Sequence, residues 1–262
     1  MNNNYQEVAK IALHKASRVL KFYFNKSITI KTKSAHFDQV TEADIESEKV
    51  IVQVIKKFFP RHNILAEENQ YQGTDSEYTW IIDPLDGTNN FTHALPVFSI
   101  SIALAQKQKV IMGLVYNPIR DELFTAQAGK GAFLNEKAIR VSENIKLKQS
   151  LLITGFYYDR SEHMKRTLKN IELFFEQGIM GIRRFGSAAL DLAFIACGRA
   201  DGFWEFCLNP WDFAAGKLIL EEAGGKVTDL EGKSIAIKPS YIVASNGQIH
   251  RAMRRVLNTA DA

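Results

Sequence analysis

Apolar residues recur with helical spacing in two segments of the first sixty residues. In residues 8–20 they fall three or four positions apart, and this segment contains neither Pro nor Gly, so it is predicted to form an amphipathic helix. A second helix is predicted to begin after Thr41 and to end before Pro60. Thr41 lies three residues before Asp44, which gives an imperfect capping box. Four residues are predicted to share one apolar face of this helix: Ile45, Val52, Ile55 and Phe59.

Strand-like runs follow, and the pattern changes near residue 143. The stretch 97–126 is predicted to be an antiparallel meander because short polar or Pro-containing turns separate its strands. Farther on, strands and helices alternate. Strands are expected at 79–82, 97–105, 110–116, 122–126, 151–155, 202–206 and 241–245, and helices at 162–177, 188–197, 212–223 and after 245. The pattern predicts an α+β part over residues 1–143 and an α/β part over residues 144–262.

Composition narrows the function classes. The chain has 262 residues, of which 46% are hydrophobic, so it can bury a substantial core. A formal charge of +4 mildly favours anionic partners, but no basic stripe points to nucleic acid. Without a long apolar run, the chain is expected to be cytoplasmic and not to span a membrane. Cys197 and Cys207 lack the spacing of a zinc or redox site.

Acidic residues follow two apolar runs that are predicted to be strands. Glu67 comes after the run 64–66, and Asp83 and Asp86 come after the run 80–82. A carboxylate at the end of a buried strand destabilises the fold unless it is paired or binds a metal. Ligands that are all oxygen favour magnesium, manganese or calcium over zinc or copper. These acids are therefore candidate ligands of a divalent cation.

The residues after Asp83 suit an anion beside such a cation. Pro84 stiffens the turn and directs the Leu85 carbonyl and the Asp86 carboxylate to one place. Gly87 allows the backbone to approach a ligand closely, and Thr88 adds a hydroxyl at a predicted helix start. Asp, Pro and Gly also dominate ordinary surface turns, so this segment alone leaves both interpretations open.

A third acid, Asp212, occupies the first turn of a predicted helix, where Asp is favoured in any case. Taken together, the runs AEE (66–68), WIIDPLDGTNNF (80–91) and WDFAAG followed by EEAGG (211–225) resemble the inositol monophosphatase family. Their order and separation match over essentially the whole chain. The stretch RRFGSAALDLAFIACGRADGF (183–203) most resembles the bacterial extragenic-suppressor type of that family.

The resemblance implies a fold and an activity. The fold is a layered αβαβα sandwich of the sugar-phosphatase type, with an antiparallel N-terminal sheet and a mixed C-terminal sheet. The activity is magnesium-dependent hydrolysis of inositol monophosphate and related small sugar or polyol monophosphates. The cofactor is Mg²⁺, two or three per active site, with Mn²⁺ as a substitute. The family resemblance also implies a homodimer.

The resemblance assigns roles to residues. It places a first metal on Glu67, Asp83 and the Leu85 carbonyl. It places a second metal on Asp83, Asp86 and Asp212, and a third, weaker one near Glu67. The Thr88 hydroxyl, with Asp44 and Glu67, orients the attacking water. The substrate-side positions are Lys33, Asp86, Gly87, Thr88, Gly186, Ser187, Ala188, Glu205 and Asp212.

Several alternatives stay open. Lys33 can equally be a solvated loop cation, and Arg183 and Arg184 are expected to form interface or surface salt bridges. The substrate can instead be fructose 1,6-bisphosphate, histidinol phosphate, adenosine 3',5'-bisphosphate or NADP. Repulsion between Glu205 and a second phosphate favours monophosphates. A different class of function is a regulatory partner of RNA polymerase in ribosomal RNA transcription, with a transcription complex or RNA as its partner.

The type of catalysis follows from motifs that the sequence lacks. It contains neither a Cys-x5-Arg loop nor a D-x-D-x-T/V motif, so no phosphoenzyme is expected. A P-loop is also absent near Gly232, because Val227 occupies the position of its first glycine. Water activated by metal is therefore the expected nucleophile.

Overall fold

The structure is a computed structural model that describes residues 5–24, 26, 30–32, 39–156 and 162–259. Lys33 lies outside these residues. The helices are α1 (Tyr5–Tyr23), α2 (Glu42–Phe58), α3 (Thr88–Thr92), α4 (Glu162–Glu176), α5 (Ala188–Ala196), α6 (Pro210–Glu222) and α7 (His250–Thr259). The strands are β1 (Ile30–Thr32), β2 (Gln39–Thr41), β3 (Asn63–Ala66), β4 (Tyr78–Asp86), β5 (Ser99–Gln106), β6 (Lys109–Asn117), β7 (Glu122–Gln127), β8 (Ala132–Leu134), β9 (Lys137–Ala138), β10 (Leu151–Thr154), β11 (Gly181–Arg183), β12 (Gly202–Leu208), β13 (Lys226–Thr228) and β14 (Ser240–Ser245).

Two large sheets and one small hairpin form from these strands. The larger sheet has the order β3-β4-β5-β6-β7-β8-β9, and the smaller has the order β11-β10-β12-β14-β13. Strands β1 and β2 pair antiparallel with each other. The smaller sheet is mixed, as predicted, because β10 runs parallel to β11 and β12 while β14 runs antiparallel to its neighbours.

The larger sheet departs from the prediction at one edge. Its strands from β4 to β9 are antiparallel, but β3 pairs parallel with β4. The expectation of a wholly antiparallel N-terminal sheet is therefore wrong for this pair. The reason is the connection over residues 67–77, which is too long for a tight hairpin and carries the chain back to the start of the sheet before β4 begins. Because β3 and β4 run in the same direction and Ala66 pairs with Ile82, Glu67 and Asp83 come next to each other at the same edge of the sheet.

Five layers of secondary structure stack on one another. Helices α1 and α2 cover one face of the larger sheet, and α5 and α6 fill the space between the two sheets. Helices α4 and α7 cover the outer face of the smaller sheet. The apolar alternation in β4 supports this stacking, since Trp80 and Ile82 face α1 and α2 while Ile81 faces the central helices. The predicted αβαβα sandwich is confirmed.

Helix α6 lies unusually close to the larger sheet. A Cβ atom on Gly113 of β6 would stand 2.7 Å from the carbonyl oxygen of Ala215, so only glycine allows this approach. On the other side of α6, a Cβ on Gly216 would stand 2.8 Å from Cβ of Leu192 in α5. Small residues on both sides therefore bring the first turn of α6, which carries Asp212, close to the end of β4.

The predicted long helices are all present, and their ends differ from the prediction by at most a few residues. One residue of the predicted apolar face of α2 was assigned wrongly, while Val52 and Ile55 are buried as predicted. Ile45 is 42% exposed, whereas Ala43, Ile51 and Ile55 are buried. The helix turns Asp44 and neighbouring polar residues toward the end of β4 instead, which directs Ile45 to solvent. Among the described residues, no helix combines the length and the apolar character needed to cross a membrane.

Candidate active site

The segment after Ile82 ends β4 in an irregular turn. Pairing between β4 and β5 shifts register between Asp83 and Asp86. Asp83 is buried, and its Oδ1 accepts a hydrogen bond from the Leu85 amide at 3.0 Å. Gly87 follows with a φ of +100°, and a Cβ there would stand 3.1 Å from the carbonyl oxygens of Val97 and Gly186. Both conformation and space therefore require glycine at this position.

The N-terminus of α2 contacts this turn through Asp44. The capping box is complete: Asp44 Oδ2 accepts from the Thr41 amide at 2.8 Å and from the Thr41 hydroxyl at 2.6 Å. Asp44 Oδ1 accepts from the Thr88 hydroxyl at 2.9 Å. The structure thus brings together Asp44 and Thr88, two residues that lie far apart in the sequence.

Two further residues of α2 hold the site, and sequence reasoning missed both. Ser47 is buried and donates to the Pro84 carbonyl at 2.9 Å. Glu48 is buried and accepts from the Glu68 amide at 2.8 Å, from Asn69 Nδ2 at 2.8 Å and from the Tyr71 hydroxyl at 2.9 Å. The available signal was their spacing, because Ser47 and Glu48 stand three and four residues after Asp44 and so share its helix face.

The opening turn of α6 positions Asp212. Asp212 Oδ2 accepts from the Asn209 amide at 2.7 Å, and the two residues form a capping box. Pro210 occupies the first turn, where its missing N–H has no effect. The Trp211 carbonyl accepts from Ser101 of β5 at 3.3 Å, which ties this turn to the larger sheet.

Asp86 is held from the opposite side by the start of α5. Its Oδ2 accepts from the Ser187 hydroxyl at 2.7 Å and from the Ala189 amide at 2.8 Å. Asn90 of α3 makes a second connection to the segment before α5, since its Nδ2 donates to the Val97 and Phe185 carbonyls, both at 2.6 Å. These bonds join the metal-side turn to the segment expected to meet the substrate.

One pocket gathers most of the predicted residues. Its lining includes these predicted positions: Glu67, Asp86, Gly87, Thr88, Gly186, Ser187, Ala188, Glu205 and Asp212. Asp44, Asp83 and Leu85 are buried behind it. The pocket lining also includes residues that had no predicted role there: Asn89, Gly155, Phe156, Arg184, Leu208, Asn209 and Trp211. Arg184, which is expected at an interface or in a surface salt bridge, is exposed and lines this pocket.

Burial of so many carboxyl groups raises their pKa values. Burial is the largest cause for Asp83 and Asp212, whose pKa values lie well above the usual range, and the charge of Glu67 raises both further. Burial also raises the pKa of Asp86 to about 6, partly offset by its hydrogen bond from Ser187. The pKa of Asp44 is raised to about 6 for the same main reason. The protein alone does not compensate these negative charges.

The donor set fits a hard divalent cation. It consists of carboxylate oxygens and the Leu85 carbonyl, with no imidazole or thiol in the pocket lining that the structure describes. As they stand, no three acidic, His or Cys side chains among the described residues are grouped closely enough to hold an ion. The hydrogen bonds to Asp86 and Asp212 given above end on Oδ2, which leaves Oδ1 of each as the candidate donor. Side-chain adjustment is therefore needed before an ion can bind, and binding must also displace the protons that the raised pKa values favour.

The fold and this pocket define a phosphoric monoester hydrolase that depends on metal ions. The chain belongs to the inositol monophosphatase family, whose sequence profile matches residues 1–261.

Several relatives are similar over most of their length. An inositol-1-monophosphatase of Synechocystis is 42% identical over 252 residues, which are 96% of this chain and 88% of the relative. A fructose-1,6-bisphosphatase/inositol-1-monophosphatase of Thermotoga maritima is 42% identical over 94% of this chain and 93% of the relative. The Nus factor SuhB of Escherichia coli is 41% identical over 94% of this chain and 92% of the relative.

Solved structures show the same architecture. The extragenic suppressor protein suhB from Bartonella henselae superimposes with a TM-score of 0.92 at 41% identity, covering 97% of this chain and 98% of that one. An IMPase/NADP phosphatase in complex with Mg²⁺ and phosphate superimposes with a TM-score of 0.84 at 26% identity, covering 97% of this chain and 95% of that one. The likeness therefore spans the whole sandwich and both sides of the pocket.

Proposed function

We propose that the protein hydrolyses inositol monophosphate and related small sugar or polyol monophosphates to an alcohol and phosphate, with Mg²⁺ as its cofactor. One observation carries this proposal. A single pocket brings buried or partly buried acids together with Ser187, Ala188 and Glu205, which we assign to the hydroxyl-binding end. The acids are Asp83, Asp86 and Asp212, together with Glu67. A phosphate ester that reaches both ends presents its phosphorus to the acids and its hydroxyl groups to the opposite wall.

The proposed metal ligands are those that the family resemblance assigns. Glu67, Asp83 and the Leu85 carbonyl would hold one ion, and Asp83, Asp86 and Asp212 a second, with Asp83 bridging. Bound there, magnesium would lower the pKa of a coordinated water and stabilise the leaving oxygen. A solved relative that contains Mg²⁺ and phosphate supports the choice of ion. A third ion near Glu67, and Mn²⁺ as a substitute, belong to the same proposal.

Thr88 and Asp44 orient the attacking water. The Thr88 hydroxyl has one hydrogen and two acceptors for it, Asp44 Oδ1 at 2.9 Å and the Leu85 carbonyl at 3.2 Å. Because its hydrogen points to these acceptors, the oxygen lone pairs of Thr88 are left to accept a hydrogen from water. Glu67 would accept the other hydrogen of the same water. The backbone amides of Gly87 and Thr88 would bind the phosphate oxygens.

The opposite wall recognises the rest of the substrate. Ser187 and Ala188 begin α5 beside Asp86, and Glu205 projects from β12 into the pocket. A carboxyl group accepts hydrogen bonds from hydroxyl groups, which suits a polyol. Asp86, Gly186 and Asp212 would make further contacts. Lys33, which the structure does not describe, stays a predicted substrate contact.

Three broader expectations stay proposals: a homodimer, a cytoplasmic location, and a division into residues 1–143 with most metal ligands and residues 144–262 with the substrate-side residues and Asp212.

Release of phosphate from a panel of esters tests the proposed function. The panel contains inositol 1-phosphate, fructose 1-phosphate, histidinol phosphate, adenosine 3',5'-bisphosphate and NADP, each measured with Mg²⁺ and with a chelator. We expect the monophosphates of polyols to be hydrolysed fastest and the chelator to abolish the activity. Activity that survives the chelator, or that is confined to a nucleotide, would overturn the proposal.

A second role in transcription is suggested by one comparison. A relative that is 41% identical over most of this chain is named Nus factor SuhB. We propose a transcription complex or its RNA as a further partner. Binding of purified parent protein and of Asp83→Asn to an RNA polymerase elongation complex tests this role apart from catalysis. Equal binding by both proteins supports it, and binding by neither removes it.

A further inference from the structure

A second cavity lies on the α1 side of the larger sheet. Helix α1 contributes Leu13 and His14 to its wall, and the neighbouring strands β6 and β7 contribute Tyr116 and Leu123. The turns β6–β7 and β8–β9 complete the lining. Its volume is about 240 Å³, against about 90 Å³ for the candidate active-site pocket, and the two have no lining residue in common within the described part of the chain. It is therefore a separate cavity that the proposed hydrolysis does not use.

Two acidic residues, Asp121 and Glu136, line this cavity from the two turns. Asn135 joins these turns, because its Nδ2 donates to the Asp121 carbonyl at 2.8 Å and its Oδ1 accepts from the Leu123 amide at 2.8 Å. Tyr116 holds the side chain of Asp121, since the Tyr116 hydroxyl donates to Oδ1 at 2.6 Å. The turns that carry the two acids are thus fixed to each other.

The two carboxylates keep unused capacity to accept hydrogen bonds. Oδ2 of Asp121 has no partner among the described residues, and Glu136 makes only a 3.9 Å ion pair with Lys10 while its side chain stays 91% exposed. Burial raises the pKa of the Tyr116 hydroxyl, and its hydrogen bond to Asp121 raises that pKa further, so Tyr116 keeps its hydrogen and adds no charge. The described lining contains no Lys or Arg. The negative charge of the cavity is therefore largely uncompensated.

The rest of the wall is apolar or aromatic. Leu13 is buried, Leu123 is partly buried, and the ring of Tyr116 lies against that of His14, with 6.1 Å between the ring centroids. His14 Nδ1 donates to the Lys10 carbonyl at 2.8 Å, which restricts the imidazole, since a carbonyl can only accept. Such a wall suits methylene groups, whereas a hydrated metal ion would lose water contacts against it. An occupant that matches both parts of the cavity has a cationic head and an apolar chain.

We propose that this cavity is a binding site for a small organic cation, a primary ammonium or guanidinium group on a short apolar chain. The head group donates to Oδ2 of Asp121 and replaces Lys10 beside Glu136, while the chain lies along Leu13 and the ring of Tyr116. Hydrogen bonds from a charged N–H group to a carboxylate are the stronger class. A neutral or anionic molecule would instead cover these carboxylates without satisfying their charge. Binding at this site does not depend on the proposed hydrolysis.

An NMR titration of the full-length, ¹⁵N-labelled protein with hexylammonium tests the proposal at constant ionic strength. The backbone amides of residues 116–123 and 134–137 report on the cavity. Three further probes separate its two parts: 1-hexanol has the chain without the charge, hexanoate has the opposite charge, and Mg²⁺ has the charge without the chain. The titrations are repeated with Asp121→Asn, with Glu136→Gln and with Glu231→Gln, a control that removes an exposed acid from another part of the surface.

We expect hexylammonium to shift these amides saturably with a Kd on the order of 1 mM, and 1-hexanol and hexanoate to bind at least about tenfold more weakly. Asp121→Asn should raise the Kd about tenfold through the loss of a charge-assisted hydrogen bond. Glu136→Gln should raise it about two- to threefold, because this carboxylate is exposed. Glu231→Gln should match the parent.

The two variants at the cavity check each other. Asn at position 121 keeps an acceptor for the Tyr116 hydroxyl, and Glu136→Gln changes an exposed side chain, so a folding defect in the first leaves the second as a test. Equal binding of 1-hexanol would show that the cavity is only apolar, and the same saturable shifts with Mg²⁺ would show a metal site. Either result, a Kd unchanged by both Asp121→Asn and Glu136→Gln, or no shift with hexylammonium overturns the proposal.

Discussion

At the scale of single residues, Asp83 carries the largest share of the proposed chemistry. It is buried, it receives one hydrogen bond from the Leu85 amide, and other acids surround it. We expect Asp83→Asn to lower kcat/KM by at least roughly a hundredfold, because an amide cannot balance the charge of two ions. The same change removes a buried carboxyl group, so the metal-free variant should unfold at a higher denaturant concentration than the parent.

Steady-state kinetics and urea unfolding in the presence of a chelator measure these two effects. The variant separates a structural role from a catalytic one, since the two expected changes have opposite signs. Activity close to the parent level would remove Asp83 from the site. Reduced stability of the metal-free variant would show that the carboxyl group is satisfied without an ion.

Thr88 is expected to affect the rate more than binding. Thr88→Ala removes the hydroxyl that joins Asp44 to the attacking water, so kcat should fall by about 10² while KM changes little. Thr88→Ser keeps the hydroxyl and serves as the matched control, with most of the activity retained. Initial-rate kinetics with inositol 1-phosphate check both variants. A rise in KM with unchanged kcat would reassign Thr88 to substrate binding.

Sequence reasoning found residues with distinctive local motifs and missed those whose role depends on packing. Asp83, Gly87 and Asp212 stand in runs whose composition is unusual, and the structure places all three at one site. Arg184 was expected at an interface or in a surface salt bridge, because nothing in an isolated RR pair shows which guanidinium lines a pocket. Arg184 can lie along the pocket because Gly186 has no side chain to occupy that space.

At the scale of elements, α2 is a support for two separate parts of the site. Through Ser47 it holds the turn after Asp83, and through Glu48 it holds the segment after Glu67. Long helices were predictable because apolar spacing accumulates over many residues. Strands of two or three residues, such as β8, β9, β11 and β13, carry too little pattern and were missed. The parallel pairing of β3 with β4 depends on a connection that no local rule specifies.

Glu48 tests the support role of α2. Glu48→Ala leaves the Glu68 amide, Asn69 and Tyr71 without their acceptor, and we expect a loss of about 2 to 4 kcal/mol in the free energy of unfolding. Activity should also fall, because the segment next to Glu67 loses its anchor. The exposed Lys49→Gln on the same helix is the control and should change neither quantity. Urea unfolding and kcat/KM provide the measurements, and a Glu48→Ala variant that matches the parent in both would contradict the assignment.

At the scale of the whole molecule, the sandwich concentrates negative charge where its layers meet. Gly113 and Gly216 let helix α6 pack close to its neighbours, which brings Asp212 near the acids at the ends of β3 and β4. The charge of Glu67 acts on both Asp83 and Asp212, which shows that these elements converge. The stability of the protein therefore depends on whether protons or metal ions balance these carboxyl groups.

The metal-free protein should lose stability as the pH rises. Burial raises the pKa of Asp86 from 3.8 to about 6 and that of Glu205 from 4.5 to about 8. Between the unfolded and folded pKa values, the native state binds more protons than the unfolded state, so stability falls with increasing pH over this window. Each unit of pKa difference corresponds to about 1.4 kcal/mol, and exposure of these groups to the pocket reduces the effect. We expect the urea midpoint measured in a chelator to decrease as the pH is raised from about 5 to about 8.

Saturating Mg²⁺ should weaken or reverse that fall, because an ion that binds only the native state stabilises it increasingly as the carboxyl groups lose their protons. Asp83→Asn should flatten the curve in the chelator, since it removes one of the carboxyl groups whose pKa is raised most. Urea midpoints at several pH values, with and without Mg²⁺, measure each effect. A midpoint in the chelator that rises across this window would mean that these carboxyl groups are already compensated in the folded protein and that the pocket does not require a cation.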